Sequence, residues 1–145
     1  MKLEIEREAR AENLPAFRGF IEEACRDAGI PATDGFELKL AVDEACTNIL
    51  EHGYGAGASG PIRVSFDSNG ERVVVVITDR ARPFAPQDAP LPDLASSWKD
   101  RKVGGLGWHL VWQTVDEIGY QPRSGGGNRL TLIKHLTSGS KPSGE

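Results

Sequence analysis

Apolar and polar residues follow an α-helical period through residues 36–54. Apolar residues recur there at spacings of four, three and four, which is one face of a helix. The positions are Leu38, Val42, Ala45 and Ile49. Thr33 or Asp34 can cap the start of this helix, and Gly53 can close it. The pattern therefore predicts one amphipathic helix that ends in a glycine.

Two further helices are predicted. One runs from Asn13, its expected N-cap, to about Ala28, where Gly29 and Pro31 end it. Its apolar positions are Leu14, Phe17, Ile21 and Cys25. The other is predicted from Trp108 to Glu117.

Four segments have the alternation or the β-branched content of strands. They are Lys2–Arg7, Ile62–Asp67, Arg72–Thr78 and Leu130–Leu136. The first suits a sheet edge and the third a sheet centre, and Asn69-Gly70 predicts a hairpin between the second and the third. A further strand is expected before the last one. Because helices and strands do not alternate regularly, we predict an α/β (α+β) two-layer sandwich, with helices on one face of a mixed, mostly antiparallel sheet.

The composition is that of a soluble globular protein. The 145 residues suffice for one domain, expected at residues 1–137, with a polar tail at 138–145. The net charge of −4 argues against direct nucleic-acid binding. Cys25 and Cys46 are interpreted as buried free thiols. No apolar run reaches the ~20 residues of a membrane span, and the N-terminus lacks the apolar core of a signal peptide, so we expect a cytoplasmic protein without membrane contact.

Two loops interrupt these elements. Residues 53–61 are rich in glycine, and residues 80–103 show no sustained period, which is typical of a functional lid. Gly104, Gly105 and Gly107 then open the third predicted helix, whose N-terminus favours an anion such as phosphate. The alternative is a helix-entry turn that needs unusual backbone angles.

Three polar residues are candidates for chemistry. Asp79 ends the most apolar strand, where it either marks a turn or accepts a hydrogen bond from a ligand amine. Glu44 and Asn48 are four apart, so they project from one side of their helix. Asn48 offers an oxygen acceptable to Mg²⁺, and Glu44 could accept a proton from a hydroxyl group. The alternative is a polar helix flank, with His52 favouring the helix dipole.

In this order the motifs resemble the GHKL ATPase/kinase superfamily, which includes gyrase, Hsp90, histidine kinases and MutL. The chain looks most like the small bacterial anti-sigma factor serine/threonine kinases of that superfamily. AVDEACTNILEHGY at 41–54 resembles the N-box, DRARPFAP at 79–86 stands where the first glycine box belongs, and GGLGWHLV at 104–111 matches the second. The resemblance covers about residues 3–136 and implies a Bergerat-type ATP-binding fold.

The resemblance implies a role for each matching position. Glu44 would be the general base for a serine or threonine hydroxyl, Asn48 would hold Mg²⁺ at the ATP phosphates, and Asp79 would accept the adenine amino group. Further implied nucleotide contacts are Ala81, Phe84, Gly104, Gly105, Leu106, Gly107, Trp108 and Asn128. Arg18 is the implied contact for a protein partner. The implied partners are an anti-sigma factor antagonist and a sigma factor, and a homodimer is expected.

Two departures from the family pattern leave two functions open. Ala81 replaces a glycine of the first glycine box, and Asn128 stands where a threonine is usual, although its side chain can still form hydrogen bonds. The first hypothesis is an ATP- and Mg-dependent kinase that phosphorylates the antagonist and sequesters the sigma factor. The second is a degenerate module that binds a regulatory protein without catalysis. Glu44 favours the first hypothesis, and Ala81 favours the second.

Overall fold

The computed structural model describes residues 2–54, 59–81 and 114–136. These residues form strands and helices in the order β1 (Lys2–Glu8), α1 (Leu14–Ala28), α2 (Ala32–Asn48), β2 (Pro61–Ser68), β3 (Arg72–Asp79), β4 (Glu117–Pro122) and β5 (Asn128–His135). A 3₁₀ turn at Ala11–Asn13 precedes α1, and a π-helical turn at Ile49–Gly53 follows α2. No helix in these ranges is long and apolar enough to span a membrane.

The described strands form one sheet in the order β1-β2-β3-β5-β4. Each of the four strand pairs is antiparallel. Within this sheet β3 lies at the centre and β1 at an edge, as the sequence predicted. The two described helices pack on one face of the sheet, so the prediction of a two-layer α/β sandwich is confirmed.

Strict alternation on β2 and β3 creates the core. On each strand every second side chain is buried towards α1 and α2, because successive side chains of a strand point to opposite faces. The predicted apolar face of α2 packs onto this surface, and all four of its positions are buried: Leu38, Val42, Ala45 and Ile49. Cys25 and Cys46 are free and buried, as predicted. We call the other side of the sheet, away from the helices, its outer face.

The helix caps differ from the prediction. Pro31, in an extended conformation, is the N-cap of α2, so Thr33 and Asp34 lie inside the first turn. Asp34 is buried with an oxygen 3.8 Å from Lys134 Nζ, and this ion pair attaches the start of α2 to β5. Asn13 occupies the N-cap position of α1, but its side chain donates to the carbonyl of Glu8 rather than to the helix.

Helix and strand ends also differ. The amide of Tyr54 donates to the carbonyl of Ile49, five residues earlier, so the final turn of the predicted helix is π-helical. Glu117 begins β4 and does not end the third helix. β5 begins two residues before the predicted Leu130, at Asn128. Of the predicted lid, the structure describes only Arg80 and Ala81, and Phe84, Gly104–Gly107 and Trp108 lie outside the described residues.

The turn between β4 and β5 brings two backbones unusually close. Gly127 has φ of +110°, and a Cβ atom placed on it would lie 2.1 Å from the carbonyl oxygen of Asp79. Gly126 has the same φ of +110°, yet a Cβ atom there would meet no atom within 4 Å. The two glycines therefore separate backbone strain from steric contact.

We predict that Gly126→Ala lowers the free energy of unfolding by about 1–3 kcal/mol through strain alone. Gly127→Ala should lower it by a further ~1–3 kcal/mol, because the methyl group must displace the end of β3. Urea denaturation of both variants measures the difference. Equal destabilisation would show that the contact with Asp79 does not constrain this turn.

Candidate functional site

Asp79 lies at the end of the central strand, and the residue is 3% exposed. Its Oδ1 accepts the backbone N–H of Ala81 at 2.8 Å and the Asn128 side-chain amide at 2.9 Å. The first bond is a local turn of the kind that aspartate favours. The second follows from strand pairing, because Asp79 and Asn128 are register partners of β3 and β5. The three predicted site residues Asp79, Ala81 and Asn128 thus form one cluster.

The surroundings of Asp79 have opposing effects on its ionisation. Burial raises the pKa of the carboxyl group, whereas the hydrogen bonds from Asn128 and Ala81 and the charge of Arg123 lower it. These two hydrogen bonds are made by Oδ1, and the backbone N–H of Asn128 is a further hydrogen-bond donor that lowers the pKa of the carboxyl group. A carboxylate that is held in place in this way can accept a further hydrogen bond only from a fixed direction, which is the condition for discriminating between ligands.

Two tyrosines that sequence reasoning missed hold this cluster. The Tyr120 hydroxyl donates to Oδ1 of Asn128, which orients the amide so that its nitrogen meets Asp79. The Tyr54 hydroxyl donates to the carbonyl of Pro61 at 2.7 Å and accepts the backbone N–H of Arg80 at 2.8 Å. The only available signal for Tyr54 was its place in the His-Gly-Tyr ending of the N-box. Tyr120 had none, since its contact depends on the pairing of β4 with β5.

The methyl group of Ala81 is accommodated inside the protein. Ala81 is 2% exposed, and a Cβ atom placed on Gly53 would lie 3.2 Å from the Ala81 Cβ. The Ala81 methyl group therefore packs against the glycine that ends the π-helical turn after α2. This contact joins the Asp79 segment to the helix that carries Glu44 and Asn48.

Glu44 and Asn48 project from one side of their helix, as their spacing predicted, and they interact directly. The Asn48 side-chain nitrogen lies 3.2 Å from both the backbone carbonyl and a carboxylate oxygen of Glu44. Both partners are acceptors, so the amide must present its nitrogen to them and direct its oxygen elsewhere. Burial and the charges of Asp43 and Glu51 raise the pKa of Glu44, and the hydrogen bond from Asn48 opposes that shift.

Arg18 on α1 is engaged with Asp43, the residue before Glu44. Its guanidinium donates to the carboxylate of Asp43 at 2.7 Å, and both side chains are about one-third exposed, at 39% and 34%. The bond connects α1 to α2 one residue before Glu44. A partner that binds Arg18 would have to replace or share Asp43.

No group of three or more His, Cys, Asp or Glu side chains that could hold a metal ion occurs in residues 2–54, 59–81 and 114–136. His52 is exposed and lies 3.9 Å from Glu51, outside the Glu44–Asn48 pair. In these ranges Asn48 is therefore not beside a preformed group of such side chains.

The sequence profile of the histidine kinase-like ATPase domain matches residues 7–134. The chain belongs to the histidine kinase-like ATPase family. An ATPase domain implies ATP binding, and both Asp79 and the Glu44–Asn48 pair lie within the matched residues.

Two relatives have names that are more specific than the description of the family. The chain is 30% identical over 121 residues to the serine-protein kinase RsbW of Halalkalibacterium halodurans, covering 81% of this chain and 74% of that protein. It is 29% identical over 101 residues to the anti-sigma F factor of Anoxybacillus flavithermus, covering 70% and 69%. These relatives confirm the resemblance to anti-sigma factor kinases and support a role of that general type.

A solved structure shares the fold. The crystal structure of the RsbU and RsbW domains of a Mycobacterium tuberculosis protein matches 99% of this chain with a TM-score of 0.69 at 22% identity. The present chain spans 34% of that protein chain. This likeness shows that the two proteins share the fold.

Two neighbours of Glu44 shift its pKa in opposite directions, so their substitution should change the pKa with opposite signs. Asn48→Ala removes a hydrogen bond to the carboxylate and should raise the pKa further, whereas Asp43→Asn removes a repelling charge and should lower it. An NMR titration of the Glu44 side-chain carboxyl carbon measures both. A shift of the same sign in the two variants would contradict this account.

The same pKa shift affects stability. A carboxyl group with a raised pKa in the folded state stabilises the fold below its unfolded-state pKa, and this contribution is lost as pH rises through the folded-state pKa. Glu44→Gln should therefore gain stability relative to the parent protein between acidic and neutral pH. Urea denaturation at several pH values measures this difference, and a constant difference across that range would be inconsistent with a raised pKa.

Proposed function

We propose that this chain is an ATP-dependent serine/threonine protein kinase that phosphorylates an anti-sigma factor antagonist and sequesters a sigma factor. The observation that carries the proposal is the contact between Glu44 and Asn48 on a half-buried helix face, in a chain of this family. A protein that only bound a partner would not need a carboxylate held there with a raised pKa.

In this proposal Asp79 accepts the adenine amino group through its carboxylate. Asn128 stands where the family usually has a threonine. Its side-chain amide still donates a hydrogen bond to Asp79, so a polar contact to that carboxylate is present at this position. The proposed nucleotide contacts outside the described residues are Phe84, Gly104, Gly105, Leu106, Gly107 and Trp108.

The proposed reaction transfers the γ-phosphoryl group of ATP to a hydroxyl oxygen of the antagonist. The bond between the γ-phosphorus and its bridging oxygen breaks, ADP leaves, and Glu44 accepts the hydroxyl proton. The shift brings the pKa of Glu44 closer to neutral pH. A general base is most effective when its pKa lies near the working pH and the group is still ionised. The rest of catalysis depends on positioning and charge stabilisation.

Magnesium is the metal ion that this family implies, and Asn48 is chemically suited to it. The side-chain nitrogen of Asn48 faces Glu44, so the amide oxygen, a hard ligand, is directed away from that carboxylate. When bound, the ion would neutralise phosphate charge. One protein ligand is sufficient for an ion that retains waters and shares phosphate oxygens.

A second candidate function is a module that binds regulatory proteins without turnover. Ala81 favours it, because the methyl group stands where the family pattern has a glycine beside adenine. The packing of that methyl group against Gly53 reduces this objection to ATP binding.

We further propose a single domain at residues 1–137, a cytoplasmic location and a homodimer, with Arg18 in contact with a partner.

The two functions differ in nucleotide binding. The protein should bind Mg-ATP in isothermal titration calorimetry, and Asp79→Asn should weaken binding about 10–100-fold, because a buried acceptor is replaced by a donor. Asp67→Asn, at an exposed position of β2, is the matched control and should bind normally. Failure of the parent protein to bind would exclude the kinase and favour the binding module.

Phosphotransfer tests the proposed base separately. Glu44→Gln should retain ATP affinity but lose about 10²–10⁴-fold in the rate at which labelled γ-phosphate enters a purified anti-sigma factor antagonist. Glu23→Gln, an exposed position on α1, should keep the parent rate. A Glu44→Gln rate close to that of the parent would assign the proton to another group.

A further inference from the structure

The outer face of the sheet carries a row of cationic side chains near the end of β3. Arg63 on β2 and Arg129 on β5 are the register partners of Thr78, one on each side. Their chain neighbours Val64, Ile77 and Leu130 are buried on the inner face. Because successive side chains of a strand point to opposite faces, Arg63, Thr78 and Arg129 lie on the outer face. Neighbouring strands are about 5 Å apart, which places the two arginine backbones about 10 Å from each other across Thr78.

Arg123 adds a third guanidinium from the turn between β4 and β5. Its Nη1 donates to the backbone carbonyl of Asp79 at 2.9 Å, and its own amide donates to the carbonyl of Gly127 at 2.9 Å. With Arg63 and Thr78 it lines two adjoining cavities of about 140 and 200 Å³. Each cavity is large enough for a small oxyanion.

These cavities are basic although the protein has a net charge of −4. The basic side chains around them are Lys2, Arg63, Arg80, Arg123 and Arg129. The acidic ones are Glu4, Glu6 and Asp79, and the carboxylate of Asp79 is buried on the inner face. Basic side chains therefore outnumber the outward-facing acids, and the local charge favours an anion.

Most donors of these arginines remain available. Each guanidinium has five N–H groups. Arg63 uses two of its nitrogens on one oxygen of Glu6, and Arg123 uses one on Asp79. Within the described ranges, no side-chain hydrogen bond or ion pair engages Arg129. Guanidinium groups beside the Thr78 hydroxyl are donors well suited to tetrahedral oxyanions.

From this geometry we propose that Arg63, Arg123, Arg129 and Thr78 form a binding site for phosphate, free or as a small phosphate monoester. The site lies on the outer face, whereas the Asp79 carboxylate and the Glu44–Asn48 pair belong to the helical side. It is therefore separate from the proposed nucleotide site and does not depend on the proposed kinase activity.

The test is an NMR titration of the full chain that follows the arginine Nε–H signals. Inorganic phosphate is added against chloride at constant ionic strength, and glycerol 3-phosphate is titrated in parallel as the monoester. Arg63, Arg123 and Arg129 should shift saturably. Arg129→Gln should weaken this binding at least about tenfold, as expected for losing a charge-assisted partner.

Arg72→Gln is the matched control. Arg72 lies on the same face of β3, opposite His135 and six residues from Thr78, and this variant should leave phosphate affinity unchanged. Asn48→Ala should also leave it unchanged, which separates this site from the proposed nucleotide phosphates. The proposal is overturned by a linear drift that Arg72 shares, by undiminished affinity in Arg129→Gln, or by loss of the arginine shifts in Asn48→Ala.

Discussion

The buried Asp79 depends on three separate parts of the chain, which supply hydrogen bonds to its carboxylate and space for its backbone. A buried carboxylate is costly unless hydrogen bonds replace its lost hydration. The following turn supplies one through Ala81, and β5 supplies another through Asn128, whose own oxygen is bonded by Tyr120. Gly127 leaves room for the Asp79 carbonyl. These bonds also fix the register of β3 and β5, because a one-residue slip would carry Asn128 to the outer face.

The region around Ala81 illustrates how one departure from a family pattern can be absorbed. A methyl group in place of hydrogen needs volume, and the backbone of Gly53 provides it at the end of the π-helical turn. A side chain at position 53 would compete for the same space. The two positions are therefore best considered as a pair, and the residue at 53 decides where the methyl group of Ala81 can go.

Local patterns were sufficient to predict α1, α2 and the presence of the described strands, and tertiary contacts account for what they missed. The period of α2 and the alternation of β2 and β3 identified the buried faces, since burial follows side-chain direction. The spacing of Glu44 and Asn48 placed that pair correctly because both residues share one helix. Asp34 was misassigned as a cap because its burial beside Lys134 depends on β5. The contacts of Tyr120 and Arg123 likewise depend on strand register, which one sequence does not specify.

Asp79 connects the two faces of the sheet through two different groups. Its carboxylate lies on the inner side, where burial raises its pKa, and its backbone carbonyl accepts a hydrogen bond from Arg123. The positive charge of Arg123 opposes the effect of burial and favours the ionised carboxylate. An anion beside Arg123 would offset part of that charge and raise the pKa of Asp79 further.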